Sequence, residues 1–181
     1  MSKRAIIAVD IQNEYFPDGK LPLEDIETAV TNAAKVIEHA RSATDLVIHV
    51  RHEAADSSRP FFTPGTQGVA IHPMVAPLDS ETVLVKHFPN SFLETGLKEL
   101  LDQQGIEDVV VIGAMSHMCI DATSRAASDF GYKTTIVHDA CATRDLEFDG
   151  MTVPATQVHA AMMAALAFAY GTVITTDQYI T

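Results

Sequence analysis

The chain has little cysteine, little positive charge and no tryptophan. Its two cysteines, Cys119 and Cys141, make no disulfide framework, and without a CxxC motif they do not suit thiol–disulfide exchange. A reduced, cytoplasmic protein is expected. Lys and Arg number 12 against 24 Asp and Glu, a formal net charge of −12 over 181 residues. No basic run interrupts that acidity, so neither nucleic acid nor a membrane is an expected partner. Long apolar runs are missing too. The run 5–9 stops at Asp10, too short for a signal-peptide core, and 160–170 is too short to cross a bilayer. No glycine-rich phosphate loop is present either.

What is there is a globular composition, 47% hydrophobic with 9 Gly and 8 Pro. A single domain over residues 1–181 suits this length. The run 5–9 reads as a central strand covered on both faces. Further strands are expected at 46–50, 82–85, 108–112, 134–137 and 172–174. Residues 24–41 place Ile26, Ala29, Val30, Ala33, Ala34, Ile37 and Ala40 on one side, the pattern of a helix. Other helices are expected at 91–103, capped by Ser91 and stopped by Gly105, at about 118–129, and at 154–169, started by Pro154. The segment 53–78, with Pro60, Pro64, Pro73 and Pro77, reads as a long functional loop. Helix and strand alternate, which predicts an α/β fold: a doubly wound, mostly parallel six-stranded sheet, order 3-2-1-4-5-6, with helices on both faces. The helix over 156–170 is apolar nearly all round, so it either lies deep under the last strand or meets a partner subunit.

Ligands of such a sheet bind beyond the carboxyl ends of the strands, near the switch in strand order. Asp10 closes strand one and Lys86 closes strand three. Cys119 follows Gly113 at the start of the helix after strand four. In the expected order strands one and four are neighbours, so Asp10 and Cys119 can face each other. A thiol at a helix N-terminus, beside an ammonium, has a lowered pKa. A nearby carboxylate can take its proton as the sulfur attacks. Backbone N–H groups at the helix start suit a developing oxyanion. Each residue alone has a plainer reading: a loop aspartate, a solvated lysine, a buried small hydrophobe. Ser116 similarly reads as a helix cap.

The stretches AVDIQNEYF around Asp10, VLVKHFPNSF around Lys86 and VIGAMSHMCIDATSRAA around Cys119 resemble the isochorismatase-like cysteine hydrolases. VHDACATRDLEFDGMTVPATQVHAAMMAALA resembles the C-terminal half of the same family, so the likeness runs from residue 5 to 176. It implies an Asp-Lys-Cys triad: Cys119 attacks, Asp10 moves the proton, and Lys86 pairs with the carboxylate and steadies the thiolate. It also implies a cis bond between Ala114 and Met115, which sets the Met115 N–H beside that of Cys119 as an oxyanion hole. Nicotinamidases of the family hold a metal after strand two. In the matching stretch HVRHEAADSS, His52 stands in place of the metal-binding Asp and Ala54 in place of a His. The spacing of His49, His52 and His72 matches no compact metal motif, and no metal or other cofactor is expected. The resemblance further implies a homo-oligomer, dimer or tetramer.

The residues placed to shape a small-molecule pocket are Gln12, Tyr15 and Phe16, then Arg51 and His52, then His87, Phe88 and Phe92, and His117. Arg51 suits a carboxylate anchor through its two-pronged guanidinium, or else a surface ion pair. His87 reads as a substrate contact or a structural hydrogen-bonder, and the aromatics as pocket wall or core. His159 reads as structural and Cys141, after strand five, as a spectator. Some relatives that hydrolyse enol ethers lack the cysteine. Its presence here favours hydrolysis of a C–N bond in an amide, carbamoyl or ureido group. Two alternatives stay open: isochorismatase-type enol ether hydrolysis led by Asp10, and a non-catalytic binding or assembly member of the fold.

Overall fold

A computed structural model describes residues 3–56 and 58–181. Its strands are β1 (Arg4–Val9), β2 (Leu46–His52), β3 (Thr82–Lys86), β4 (Asp108–Ala114), β5 (Lys133–Ala142), β6 (Leu146–Phe148), β7 (Met151–Val153) and β8 (Thr172–Ile174). Six of them form one parallel sheet in the order β3-β2-β1-β4-β5-β8, the expected doubly wound arrangement. The helices are α1 (Ile26–Ser42), α2 (Leu97–Gln103), α3 (Asp121–Asp129), α4 (Ala155–Ala169) and α5 (Thr176–Ile180). Side chains alternate across a strand, so β1 feeds two cores. Ala5, Ile7 and Val9 join Ile48, Val50, Val109 and Val111 beneath α2, α3 and α4. Ile6 and Ala8 join Val47, Val110 and Ile112 against the buried stripe of α1, from Val30 to Ala40.

Four features depart from the sequence expectation. Ser91 caps no helix: its N–H donates to Thr123 Oγ1 (3.1 Å), and that hydroxyl donates back to Ser91 Oγ (2.8 Å). Glu94 has φ 55, which a right-handed helix cannot run through, so α2 begins only after Gly96. An antiparallel hairpin, β6–β7, follows β5, turned by Asp149 (φ 50) and Gly150 (φ 76). The last turn, α5, is closed by a capping box between Thr175 and Gln178. Of the two placements open to the helix over 156–170, deep under the last strand or against a partner subunit, α4 does not take the first. It buries Val158, Met163 and Leu166 while Ala160, Ala161 and Ala164 face outward with Phe168, which is 92% exposed. Among the described residues no helix is long and apolar enough to cross a membrane.

One charged cluster ties β2 to α1 and the β3 approach. Arg41 donates from Nε and Nη2 to the two oxygens of Glu81, each at 2.8 Å. His49 Nε2 lies 3.0 Å from Glu81 Oε2, and the Leu78 N–H donates to that oxygen at 2.9 Å. Burial pushes the Glu81 carboxyl up, but these partners outweigh it and hold it down to about 2. Its folded value therefore lies below that of the unfolded chain, about 4.3. The linked stability is complete above the unfolded value and is lost as pH falls toward the folded one. Urea midpoints measured from about pH 6 to about pH 3 are expected to fall, and Glu81→Gln is expected to flatten that fall.

Candidate active site

Three strand ends converge on one lysine. Lys86 Nζ lies 2.7 Å from Asp10 Oδ2, and it donates to Cys119 Sγ (3.2 Å), to the Phe88 carbonyl (3.1 Å) and to His52 Nδ1 (3.2 Å). Asp10 and Lys86 are fully buried, and Cys119 is 6% exposed. The Asp10 contact is an ion pair off the hydrogen-bonding line, which leaves both carboxylate oxygens without an aligned hydrogen bond. A buried carboxylate with open lone pairs is a ready proton acceptor. Its backbone turns sharply out of β1, with φ 52.

Cys119 is not at the first turn of α3. It sits in a wide π-helical turn, Ser116–Ile120, between β4 and α3. The expected lowering of its pKa is overturned for a physical reason. Burial pushes the thiol up, Asp10 adds to that, and Lys86 offsets only part of it. The resting sulfur is therefore protonated at neutral pH. Burial opposes the charge on Lys86, but Asp10 and Cys119 outweigh it and raise its pKa. Burial and the Lys86 ammonium bring His52 down to about 4, so its ring is neutral. Burial, then Cys119 and Asp10, raise the Tyr15 phenol. The Ala114–Met115 bond beside the turn is cis. Ser116 is no cap: its hydroxyl lies 2.8 Å from His159 Nδ1 and donates to the Ala142 carbonyl at 3.3 Å.

Above the sulfur lies a cleft of about 640 Å³. Of the residues singled out in the sequence, Tyr15, His52, Met115, His117 and Cys119 line it. Phe61 and Phe62 of the 53–78 loop, Met118, Arg144 and the β6–β7 hairpin complete the wall. The loop is held over the cleft by Glu14, whose carboxylate accepts the Phe62 N–H at 2.7 Å.

The other pocket candidates lie elsewhere. Arg51 points to the opposite face of β2 from His52 and pairs with Glu53 Oε1 at 2.5 Å, so it is an ion pair and not a carboxylate anchor in the cleft. Gln12 is a buried crosslink, donating to the carbonyls of His52 (2.8 Å) and Val69 (2.9 Å). Phe16 stacks on His72 at 3.8 Å. The His87 ring bonds the Glu53 carbonyl at 2.8 Å. Phe88 contributes its carbonyl while its side chain is exposed, and Phe92 packs against Phe130 and Tyr132. Arg144 was missed, although it sits just past the end of β5, where the same strand-end rule applies.

Among the described residues one side-chain set is compact enough for a metal: the ligand atoms of Asp10, His52 and Cys119 lie within 4.8 Å of one another. The Lys86 ammonium touches all three, so their shared space already contains a cation. The donor set fits an ammonium. His49 is held on Glu81 and His72 on Phe16, so the three histidines do not converge.

The Isochorismatase domain model matches residues 4–178. The chain belongs to the isochorismatase-like hydrolase family. It is 49% identical over 176 residues to the uncharacterized isochorismatase family protein YddQ of Bacillus subtilis, covering 97% of this chain and 98% of that one. A solved structure of a family hydrolase from Oleispira antarctica superposes with a TM-score of 0.94 at 49% identity, over 98% of this chain and 95% of that one. The maleamate amidohydrolase of Pseudomonas putida is 29% identical over 78% of this chain and 73% of its own length. The chain is accordingly an enzyme, a hydrolase of this family.

Proposed function

We propose that the protein is a cysteine hydrolase that cleaves a C–N bond of a small amide, carbamoyl or ureido compound through an acyl-cysteine intermediate. The observation that carries this reading is the placing of one ammonium against both a buried carboxylate and a buried thiol on the floor of a cleft. In this reading the Cys119 proton passes to Asp10 as the sulfur bonds to the carbonyl carbon. The carbonyl electron pair moves to oxygen, which the N–H groups of Met115 and Cys119 receive. Collapse breaks the C–N bond, and the nitrogen leaves with the proton from Asp10. Water then gives a proton to Asp10 and attacks the thioester. The C–S bond breaks and the proton returns to sulfur. Lys86 remains an ammonium throughout and balances whichever of Asp10 and Cys119 is negative. A name such as maleamate amidohydrolase among the relatives supports amide over ether chemistry.

Arg144 takes the role that sequence reading gave to Arg51. It lines the cleft, and no ion pair engages it among the described residues. The substrate in this reading carries a carboxylate held by that guanidinium, with the scissile group over Cys119. Arg144→Gln is expected to raise KM for carboxylate-bearing amides by about tenfold or more with little change in kcat. Steady-state assays on matched amides with and without the carboxylate check this, since the uncharged partner should be insensitive. Self-association as a dimer or tetramer belongs to the same reading, with the alanine-lined outer face of α4 allowing a second copy to approach closely.

A further inference from the structure

An ammonium carries three N–H donors in a fixed tripod and no acceptor. Three acceptors meet hydrogen-bond geometry with Lys86 Nζ: His52 Nδ1 at 3.2 Å, the Phe88 carbonyl at 3.1 Å and Cys119 Sγ at 3.2 Å. Asp10 Oδ2 is nearer, yet off the hydrogen-bonding line. A free ammonium would turn an N–H squarely onto that carboxylate, the strongest acceptor within reach. Two tethered hydrogens fix the direction of the third. One tether is a backbone carbonyl. The other depends on the side chain at position 52.

We propose that His52 is a positioning residue: with the Phe88 carbonyl it holds the Lys86 tripod so that the third N–H points at the Cys119 sulfur. The inference rests on the reading of Cys119 as the attacking group and assigns a way in which its thiolate is selectively stabilised. Since Lys86 can only donate, His52 Nδ1 must accept, and the ring proton sits on Nε2. The support is rigid. The His52 N–H donates to Gln12 Oε1, and Gln12 Nε2 donates to the His52 carbonyl, both at 2.8 Å. The ring meets Phe62 edge-on, with centroids 5.1 Å apart. The titratable groups facing the sulfur are Asp10, Lys86 and Tyr15, and those facing the His52 ring are Lys86, Asp10 and His87. A neutral replacement at 52 leaves all of these charges in place.

The test needs no turnover. Carboxamidomethylation of Cys119 by iodoacetamide is followed against pH in the full chain, read by peptide mass, for the wild type, His52→Leu and His52→Asn. Nitrogen-15 NMR of the wild-type imidazoles reports the tautomer. The expected results are an Nε2–H tautomer, Cys119 alkylation about tenfold slower at a given pH in His52→Leu (tenfold less thiolate), and a rate near wild type in His52→Asn, whose amide oxygen replaces Nδ1. An Nδ1–H tautomer, an unchanged alkylation rate in a folded leucine variant, or no rescue by asparagine overturns the proposal. If the leucine variant does not fold, the tautomer decides. The expected tautomer and rates in a protein that hydrolyses no amide would sink the proposed reaction and leave this role standing.

Discussion

Cys119→Ala is expected to lower amide hydrolysis by about 10⁴-fold or more while leaving the fold intact. The sulfur is a nucleophile that lines the cleft beside a proton acceptor, Asp10, and a cation, Lys86, able to balance the charge it acquires. Its thiol pKa is raised, so ionisation has to accompany attack, and Asp10 is the acceptor placed for that step. Asp10→Asn is therefore expected to cost about as much as losing the nucleophile, and the double variant little more, because the two groups act as a unit. Circular dichroism and urea midpoints check that the alanine protein is folded. Two other outcomes discriminate the alternatives. Activity on enol ethers that survives in Cys119→Ala would favour cleavage led by Asp10. A Cys119 no more reactive toward iodoacetamide than Cys141 would favour a non-catalytic member of the fold.

Gly113→Ala is expected to be the most damaging small substitution outside the reacting groups. Gly113 pairs with Val9 across β1 and β4, and its φ is +122, a region that side chains rarely enter. An added Cβ would lie 1.9 Å from the Val9 carbonyl oxygen and 2.8 Å from its carbon. Both obstacles are backbone atoms at the centre of the sheet, so no rotamer change relieves them. A loss of about 3 kcal/mol or more in unfolding free energy is expected, with Tm lower by about 6 °C or more. The next residue after Val9 is Asp10, and Gly113 leads into the turn that carries Cys119. Any separation of β1 from β4 therefore moves the carboxylate away from the sulfur, and activity falls even in the protein that remains folded. Gly96→Ala is the control. Its φ is −86 and an added Cβ meets nothing within 4 Å, so stability and activity are expected to change little.

The sequence made the sheet legible because its strands are continuous apolar runs that end on polar residues. Asp10 and Lys86 were readable as site candidates only jointly with Cys119, because each alone at a strand end has a plainer reading, whereas three such residues at one edge of the sheet point to a site. What failed to show was anything set by parity or by backbone conformation. Arg51 and His52 are adjacent, and only one of them can share a face with Ile48 and Val50, which pack in the same core as Cys119. The run around them does not say which. The left-handed Glu94 is likewise invisible in a stretch with ordinary helix formers, and it removes the first turns expected of α2. The β6–β7 hairpin did carry a signal: Asp149-Gly150 is the pair that a two-residue hairpin turn prefers. The thiol pKa illustrates a different limit. Proximity to a helix start and an ammonium was readable, but the depth of burial that outweighs both depends on the packed fold.

Rapid-quench mass spectrometry of the wild-type protein with a cleavable carboxylate-bearing amide tests the central claim most directly. The account predicts a transient species in which the Cys119 peptide is heavier by the acyl portion of the substrate, after the amine has left and before the acid appears. Amide cleavage with Cys119 unmodified at every quench time, and undiminished in Cys119→Ala, would contradict it.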